Sequence, residues 1–531
     1  MLSSGREEAN DNYQQACKSI ADEIEHSKNS LSIKQVLKVV RQAASEYNLD
    51  TIPRNEHIIH YLRDDHYRRL LMVKPAKTAS GVAVIAVMPK PYACPHGRCI
   101  YCPGGIEFNT PLSYTGTEPS TRVAQRFSYD PYQQVCLKME QLRSRGHDTG
   151  KTEIVIVGGT FPFMPVSYQR QFAKSCYDAL NGKRSPTLQQ AIATNEIADN
   201  RCVGFTVETK PDYCKDSHID LMLELGVTRI EIGIQSLNNK VYRLVNRGHT
   251  LDDVICAFKT VRDAGYKIVA HMMPGLPGSS PKKDIEDFRR LFEDDAFKPD
   301  MLKIYPTLVL EHTGLFNMHK SGKYQAYSED ELINVIVEAK KVVPEWVRIM
   351  RIQREIESDD IIAGPKNGNL RQIVFKKLRQ QGYRCKCIRC RETGLQRRYP
   401  SEDEVILKRT DYSASGGREI FLSHETKAGD TILGFLRLRQ VGARTHRAEL
   451  DGSVVIRELH IYGQAISIGR SDRENSYQHK GLGMKLLKEA ERISKDELGV
   501  HKIAIISAVG TRQYYKKFGY QQDGPYVSKE L

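Results

Sequence analysis

The chain has 531 residues, 27% of them charged and 40% hydrophobic, so we expect about two to four globular domains rather than a disordered chain. The longest apolar runs, such as 82–87, have strand length and fall far short of the about 20 residues that a membrane span needs. The polar amino terminus has no apolar signal segment, which predicts a cytoplasmic location and no membrane partner. Lys and Arg exceed Asp and Glu by 14, and this surplus favours a polyanionic partner.

The first part of the chain, 1–78, is expected to be a small helical module. Ile33, Val36, Leu37, Val40 and Ala44 recur at helical spacing, and no strand pattern is present. A mixed basic and acidic segment follows at 54–77. It is equally compatible with a solvated helix face and with a contact to nucleic acid.

From residue 79 to 345 the pattern changes to alternating strands and helices, which predicts a parallel sheet built from right-handed βαβ units. Six strands over this length fit a partial barrel better than a closed one of eight strands. The predicted strands are 82–88, 153–157, 202–208, 229–234, 267–272 and 301–305. The predicted helices include 131–143, 168–180, 219–225, 251–264 and 282–292.

The last part of the chain divides into a basic linker, 346–400, and a separate α+β domain, 401–531. Strand-like runs return at 420–423, 432–438, 454–460 and 502–506, and one helix is expected at 481–495. Across 366–409 there are 13 Lys or Arg residues against four Asp or Glu.

Twelve cysteines in a cytosolic chain are expected to be reduced, and six of them form two clusters. Cys94, Cys99 and Cys102 follow the first barrel strand on a short loop. Three thiolates can hold three irons of a 4Fe–4S cluster and leave the fourth iron open for an external ligand. A zinc site with a distant fourth ligand is the alternative.

Polar residues follow several barrel strands, where the site of such a fold is expected. Gly158, Gly159 and Thr160 follow the second strand, and glycines there let backbone approach a ligand. Glu208, Lys210 and Gln235 lie at the ends of the third and fourth strands. These three residues are candidate ligand contacts.

The loop sequence CPHGRCIYCPGG resembles the radical S-adenosylmethionine (SAM) enzymes, and in particular the family of the Elongator catalytic subunit. The spacing Cys-x4-Cys-x2-Cys has one residue more than the usual radical SAM spacing and matches that branch. The resemblance implies a TIM-like partial (β/α)6 radical SAM barrel of the archaeal or bacterial type. It also implies that Tyr101 lies beside the SAM adenine and that Gly158, Gly159 and Thr160 bind its methionyl part.

A second motif, Gln-x-x-Gly-x-Gly from Gln478 to Gly483, runs directly into the helix at 481–495. The free N–H groups and the positive dipole at a helix start suit a pyrophosphate, although an ordinary helix start is the alternative.

The region resembles the GNAT acetyltransferases. That resemblance implies that Tyr515 is catalytic and lies near the thioester. It also implies an acetyl-CoA site formed by Glu458, Leu459, His460, Ile461, Gln478, Gly481, Leu482, Gly483, Met484, Tyr514 and Tyr515. Lys151 aligns with a lysine linked to acetyl-CoA in the Elongator family.

The second cysteine cluster, Cys385, Cys387 and Cys390, lies inside the basic linker. It is either a zinc site with an unassigned fourth ligand or a group of reduced surface thiols. Aromatic residues interleave with the basic ones, which favours binding to a single-stranded RNA loop. The candidate tRNA contacts are Lys376, Lys377, Arg379, Arg384, Lys386, Arg389 and Arg391.

Together the resemblances imply an enzyme that forms 5-carboxymethyluridine at the wobble position of tRNA. A deoxyadenosyl radical from SAM would abstract hydrogen from the acetyl methyl group of acetyl-CoA, and the carbon radical would add to carbon 5 of uridine in the anticodon stem-loop. An electron donor is required, and self-association or a larger assembly stays open. The alternatives are a protein lysine acetyltransferase with a structural cluster and a non-catalytic tRNA-binding scaffold.

Overall fold

The computed structural model describes residues 4–27, 30–442, 445–463 and 481–531, and it begins with the expected helical module. The buried face of the second helix consists of Val36, Val40, Ala43 and Ala44, which confirms the helical spacing. This module docks on the barrel through His147, whose ring nitrogens bond to Thr78 and to the carbonyl oxygen of Val73. The helices of the module are α1 (Ser4–Glu25), α2 (Ile33–Glu46), α3 (Asn55–Tyr61) and α4 (Asp65–Leu70).

The alternating region forms the predicted half-barrel of parallel strands. All six predicted strands are present, and the sheet has a seventh strand. With the strands numbered along the chain as given below, its order is β1-β2-β3-β4-β5-β6-β8. They form because apolar residues on one side pack under the helices while the other side faces the barrel interior. The strands are β1 (Ala83–Val87), β2 (Lys151–Ile156), β3 (Arg201–Thr209), β4 (Arg229–Gln235), β5 (Lys267–Met272), β6 (Met301–Ile304), β7 (Val309–Leu310), β8 (Arg348–Arg351) and β9 (Ile361–Ala363).

Helices cover the outer side of this sheet, and the five predicted ones agree with the structure to within about three residues at each end. Most begin with a side-chain cap, such as Asp130 accepting from the N–H of Gln133. The helices are α5 (Pro119–Arg126), α6 (Pro131–Arg143), α7 (Val166–Asn181), α8 (Leu188–Asn195), α9 (Asp216–Glu224), α10 (Asn239–Leu244), α11 (Leu251–Asp263), α12 (Pro281–Glu293), α13 (Gly314–Lys320) and α14 (Glu329–Val342).

The linker contains more regular structure than its composition indicates. Strand β8 pairs in parallel with β6, so the barrel sheet has seven strands rather than six. The linker helices are α15 (Leu370–Gln380), α16 (Ile388–Arg391) and α17 (Thr393–Gln396). Because the barrel sheet continues past residue 345, the division of the chain at 78, 345 and 400 stays a prediction.

The C-terminal domain is one mixed sheet with a long helix, as expected, and it has three strands that were not predicted. Its order is β10-β11-β12-β13-β14-β16-β15, in which only β13 and β14 pair in parallel. The strands are β10 (Val405–Ala414), β11 (Gly417–Thr426), β12 (Ile432–Gln440), β13 (Ser453–Ile461), β14 (Lys502–Ile505), β15 (Gln521–Asp523) and β16 (Tyr526–Glu530), and the helices are α18 (Leu482–Arg492) and α19 (Arg512–Lys516). In the ranges that the structure describes, no helix combines the length and apolar character that a bilayer crossing requires.

The C-terminal sheet packs against the amino-terminal ends of the barrel strands. Arg457 on β13 makes a two-pronged ion pair with Asp300, just before β6, at 2.6 and 2.8 Å. It also donates to Glu419 on β11 and to the carbonyl oxygen of Tyr266, just before β5. Arg439 joins Glu419 to Asp263 at the end of α11. We call these five side chains, Arg457, Asp300, Glu419, Arg439 and Asp263, the interface ion network.

Removing one member of the interface ion network should be costly because the buried charges of its partners would lose part of their compensation. We expect Arg457→Met, which keeps most of the side-chain volume, to lower the free energy of unfolding by about 3–5 kcal/mol. Arg418→Met is the matched control, since Arg418 pairs with Asp411 at the surface and should cost at most about 1 kcal/mol. Chemical denaturation followed by circular dichroism measures both. Equal losses in the two variants would contradict the prediction.

Candidate active site

One cavity of about 430 Å³ runs through the half-barrel from the cysteine loop to the C-terminal domain. Its wall consists of the side chains that point inward from alternate positions of the barrel strands. The carboxyl ends of the strands lead into the cysteine loop, and the amino-terminal ends face the C-terminal sheet. The cavity therefore has a cysteine end and an opposite end, which we call the acyl end.

The three cysteines of the first cluster all line the cysteine end. Cys99 and Cys102 are buried, and Cys94 is partly exposed. His96 Nε2 lies 3.2 Å from Cys99 Sγ, and Arg247 Nη1 lies 3.7 Å from the same sulfur. A hydrogen bond from Cys102 lowers the pKa of Cys99 well below its usual value, and His96 and Arg247 reinforce this against the effect of burial.

The geometry at the cysteine end fits an iron–sulfur cluster. Three thiols open into one cavity, and the buried guanidinium of Arg247 offsets the negative charge that thiolates would bring. Arg247 is anchored by donating to the carbonyl oxygen of Gly233 at 2.6 Å. The sequence analysis missed His96 and Arg247; His96 could have been found, since it lies inside the cysteine loop.

The other residues predicted at this end also line the cavity. Gly158 and Gly159 have φ angles of 124° and 113°, which glycine adopts without strain. The N–H of Gly158 donates to Glu208 at 3.0 Å, and Lys210 Nζ lies 3.0 Å from His96 Nδ1. Thr160, Tyr101 and Gln235 also line the cavity. Thr160 bonds to Cys94, and the buried Tyr101 hydroxyl lies beside Cys99. Gln235 Oε1 is buried and makes no hydrogen bond within the described residues.

At the acyl end the cavity is lined by Glu458, Leu459, His460 and Tyr515 of the C-terminal domain. The Glu458 carboxylate accepts from Arg437 at 2.8 Å, and His460 bonds to the carbonyl oxygen of Ser80 at 2.9 Å. Burial raises the pKa of Tyr515, so its hydroxyl stays protonated. Four residues predicted to act together are thus brought to one wall.

Six further residues predicted for acetyl-CoA lie at or beside the start of α18 and do not line the cavity: Ile461, Gly481, Leu482, Gly483, Met484 and Tyr514. Gly481 caps the helix with a φ of 80°, and Leu482, Gly483 and Met484 form its first turn. A side chain at Gly483 would lie 3.0 Å from the Tyr514 hydroxyl and 3.7 Å from Ile461. The N–H groups of a first helical turn have no partner within the helix, so the start of α18 suits an anion. Gln478 lies outside the described residues.

Lys151 begins β2 at the amino-terminal end of the barrel but does not line the cavity. Burial lowers the pKa of Lys151 to about 8. Its neighbour across the sheet, Arg201, packs against Gly510 of the C-terminal domain, where a side chain would lie 2.5 Å from the Arg201 Cβ. The structure therefore places Lys151 near the domain boundary rather than in the cavity.

Between the two ends, the cavity wall carries charged side chains, of which only Glu208 was predicted from the sequence. Glu208, Glu231 and His271 lie within 4.8 Å of one another, and Lys303 pairs with Glu231. One layer closer to the acyl end, Arg229 pairs with Glu153. The signal was present in the strand sequence RIEIGIQ, where charged residues alternate with apolar ones.

The second cysteine cluster is compact. The sulfur atoms of Cys385, Cys387 and Cys390 lie within 4.8 Å of one another, and Lys340 Nζ lies 3.9 Å from Cys390 Sγ. Burial opposes the charge of Lys340, but the thiols of Cys387 and Cys385 outweigh it and raise the pKa of Lys340. Three soft ligands beside a cation suit zinc; in the described part of the chain no fourth His, Cys or acidic ligand joins them.

Most of the predicted tRNA contacts form one surface. Lys376, Arg379, Arg384 and Lys386 are exposed on α15 and the loop after it, and Lys377 and Arg389 are partly exposed. We call these six residues the linker surface. Arg391 does not belong to it. It is 4% exposed, pairs with Glu425 and donates to the carbonyl oxygens of Lys386 and Glu345, because it joins the linker to the C-terminal sheet.

Models of four protein families match the chain in sequence order. The ELP3 N-terminal domain matches 13–79, the Radical SAM superfamily 88–292, the Radical SAM C-terminal domain 299–380 and the Acetyltransferase (GNAT) family 389–520. These matches follow the helical module, the half-barrel, its extension into the linker, and the C-terminal sheet.

Similar proteins cover nearly the whole chain. The tRNA uridine(34) acetyltransferase of Methanocaldococcus jannaschii is 44% identical over 90% of both chains. Elongator complex protein 3 of Schizosaccharomyces pombe is 43% identical over 97% of this chain and 98% of its own. The solved structure of the archaeal Methanocaldococcus infernus Elp3 with an N-terminal deletion matches with a TM-score of 0.76 and 42% identity, covering 86% of this chain and all of that chain.

We expect Cys99→Ala to lose most of its iron after anaerobic reconstitution, because three thiolates are the fewest that can hold the cluster. Iron and sulfide content and the visible absorption spectrum measure the loss. Cys256→Ala is the matched control, since Cys256 is exposed on α11, away from the cavity. Wild-type iron content in Cys99→Ala would contradict the assignment.

Proposed function

The chain belongs to the Elongator complex protein 3 family, and on that premise we propose that it modifies uridine 34 of tRNA, forming 5-carboxymethyluridine from acetyl-CoA. The observation that carries the proposal is the single cavity that connects the cysteine loop to Tyr515 and Glu458. A radical formed at one end and an acyl group held at the other can meet in one space only if such a cavity exists.

Each end of the cavity has the groups that its ligand would need. Cys94, Cys99 and Cys102 would hold a 4Fe–4S cluster, and Gly158, Gly159 and Thr160 would bind the methionyl part of SAM. When bound and reduced by an external electron donor, this pair supplies a 5′-deoxyadenosyl radical that can abstract hydrogen from the acetyl methyl group. Tyr101 and Gln235 line the same end and would orient SAM, and Gln235 Oε1 has no hydrogen-bond partner among the described residues.

At the acyl end the chain would hold the thioester and control its proton chemistry. The first turn of α18 would bind the pyrophosphate through its backbone N–H groups. Tyr515, which stays protonated, would donate a hydrogen bond to the thioester carbonyl or sulfur. Burial lowers the pKa of the nearby Lys267 to about 8, so this lysine would be a readily deprotonated group beside Glu458.

The linker surface would hold the anticodon loop. Its cations can contact phosphates, and Tyr383, 51% exposed beside it, offers a ring for base stacking. A single-stranded loop suits this surface because its bases can leave the stack and enter a pocket. Arg391, being buried, would support the linker rather than touch RNA.

We propose further that Cys385, Cys387 and Cys390 bind zinc and stiffen the linker. We expect purified wild-type protein to contain about one zinc atom per chain. Cys387→Ser should lose it and unfold at a lower denaturant concentration, since Cys387 is buried in the barrel core. Elemental analysis provides the measurement, with Cys256→Ala as control. Absence of zinc from wild-type protein grown with zinc would refute the proposal.

The proposed reaction can be tested with the reconstituted protein, a chemical reductant, SAM, tRNA and methyl-deuterated acetyl-CoA. We expect deuterium in 5′-deoxyadenosine and labelled carboxymethyluridine in the digested tRNA, both detected by mass spectrometry. Each should be absent in Cys99→Ala, while binding of tRNA persists. Acetylated protein lysines without modified uridine, and unaffected in Cys94→Ala, would instead support the lysine acetyltransferase alternative.

A further inference from the structure

The middle of the barrel interior carries four ionisable side chains where such barrels usually place branched apolar residues. Glu231 on β4 is the centre of this group. Lys303 Nζ pairs with Glu231 Oε2 and lies 3.9 Å from Glu208 Oε1. His271 Nε2 lies 2.9 Å from the same Glu231 oxygen. We call Glu208, Glu231, His271 and Lys303 the middle layer.

The other carboxylate oxygen of Glu231 has no partner. Glu231 is 1% exposed, yet Oε1 makes no hydrogen bond within the described residues, and the side chain lines the cavity. Burial opposes the ionisation of Glu231, but Lys303 and then His271 outweigh it and lower its pKa. An ionised, buried acceptor without a donor is costly, so this oxygen indicates a polar ligand.

Lys303 is the matching donor. Burial opposes its charge, but Glu231 outweighs that effect and raises the pKa of Lys303, so the ammonium is also charged at neutral pH. An ammonium has three donors, of which Glu231 takes one. The cavity wall thus presents an acceptor and a cationic donor side by side.

The middle layer lies between the two ends of the cavity. Glu231 is two residues beyond Arg229, which faces the acyl end, and four residues before Gln235, at the cysteine end. At about 3.3 Å per residue, these steps correspond to about 7 Å and about 13 Å along the strand. A third reactant that meets groups from both ends would lie at this height.

A divalent cation is a poor occupant for this position. Glu208, Glu231 and His271 have the spacing of metal ligands, but the Lys303 ammonium already occupies the cation position against Glu231. A metal ion would have to displace that lysine and leave it buried beside a second positive charge.

We propose that Glu231 and Lys303 recognise the uracil ring of the flipped target nucleotide. Glu231 Oε1 accepts a hydrogen bond from the N3–H group, and Lys303 donates to an adjacent carbonyl oxygen. Uracil presents a donor at N3 between two carbonyl acceptors, whereas cytosine presents an acceptor at N3 and an amino donor at position 4. Cytosine would therefore place a lone pair against the Glu231 carboxylate. This inference rests on the proposed function and assigns its base specificity.

The test uses three anticodon stem-loops that differ only at position 34, which is uridine, cytidine or N3-methyluridine. Their equilibrium dissociation constants for the full chain are measured at one salt concentration. We expect wild-type protein to bind the uridine loop about 5- to 100-fold more tightly than the cytidine loop, as for one wrongly matched base edge. The N3-methyluridine loop should lose affinity similarly. Equal binding of the three stem-loops by wild-type protein would overturn the proposal. This comparison does not depend on whether any variant folds.

Glu231→Gln should bring the preference for uridine over cytidine close to one, because its amide can donate to N3 of cytosine. Glu231→Ala should remove the penalty for N3-methyluridine, since the acceptor and part of the side-chain volume are gone. Glu153→Gln is the matched control for the ratio of affinities: it also removes a partly buried carboxylate that faces the cavity, one layer lower. Its preference for uridine should stay at the wild-type value.

A parallel assay of carboxymethyluridine formation separates the two levels of failure. If wild-type protein forms no modified uridine, the proposed function fails. If wild-type protein forms it and Glu231→Gln keeps the full preference for uridine, the recognition proposal alone fails. Loss of product in Glu231→Gln with an unchanged preference would likewise overturn recognition, and it would assign Glu231 to proton transfer.

Discussion

The architecture depends on the two-pronged ion pair between Arg457 and Asp300. These side chains are fully buried, and one belongs to the C-terminal sheet while the other precedes a barrel strand. A buried ion pair contributes little net stability compared with an apolar pair, but an isolated partner is strongly unfavourable. The pair and its neighbours Glu419, Arg439 and Asp263 therefore permit essentially one arrangement of the two domains, because any other leaves charges buried and unpaired. The acyl end of the cavity, which both domains line, follows from that arrangement.

The position of the C-terminal domain gives the amino-terminal ends of the barrel strands an additional role. In most barrels of this kind the carboxyl ends of the strands carry chemistry and the amino-terminal ends serve stability. Here the amino-terminal ends hold the second domain through Asp300 and Tyr266, and they also contribute Arg229 and Lys267 to the wall of the cavity.

The sequence was sufficient for the elements whose periodicity is strong. Six barrel strands, five of the barrel helices and the long helix α18 were predicted close to their observed positions, because buried faces recur at fixed spacing. Strand β8 was missed because it has only four residues, Arg348 to Arg351, of which just the middle two are apolar. Strand β10 was missed because most of its residues are exposed or half-buried and polar.

The candidate site shows a similar division. The cysteine loop and the glycines after β2 were recognisable from the local sequence. The cavity that connects its cysteine end to its acyl end depends on how the two domains dock. Charge counting grouped Arg391 with the linker cations, although Arg391 is buried and pairs with Glu425 of the C-terminal sheet. For Lys303 and His271, nothing local distinguishes a charged residue that faces a cavity from one that faces solvent; only closure of the sheet decides this.

The length of the barrel strands sets the distance between the cysteine end and the acyl end of the cavity. Strand β4 spans six steps from Arg229 to Gln235, which is about 20 Å. Inserting one residue would turn the following inward side chains outward, and inserting two would restore the facing but lengthen the gap by about 7 Å. Strand length in this protein can therefore neither grow nor shrink without moving one reactant away from the other, so natural variation in length should collect in the loops and leave these strands unchanged.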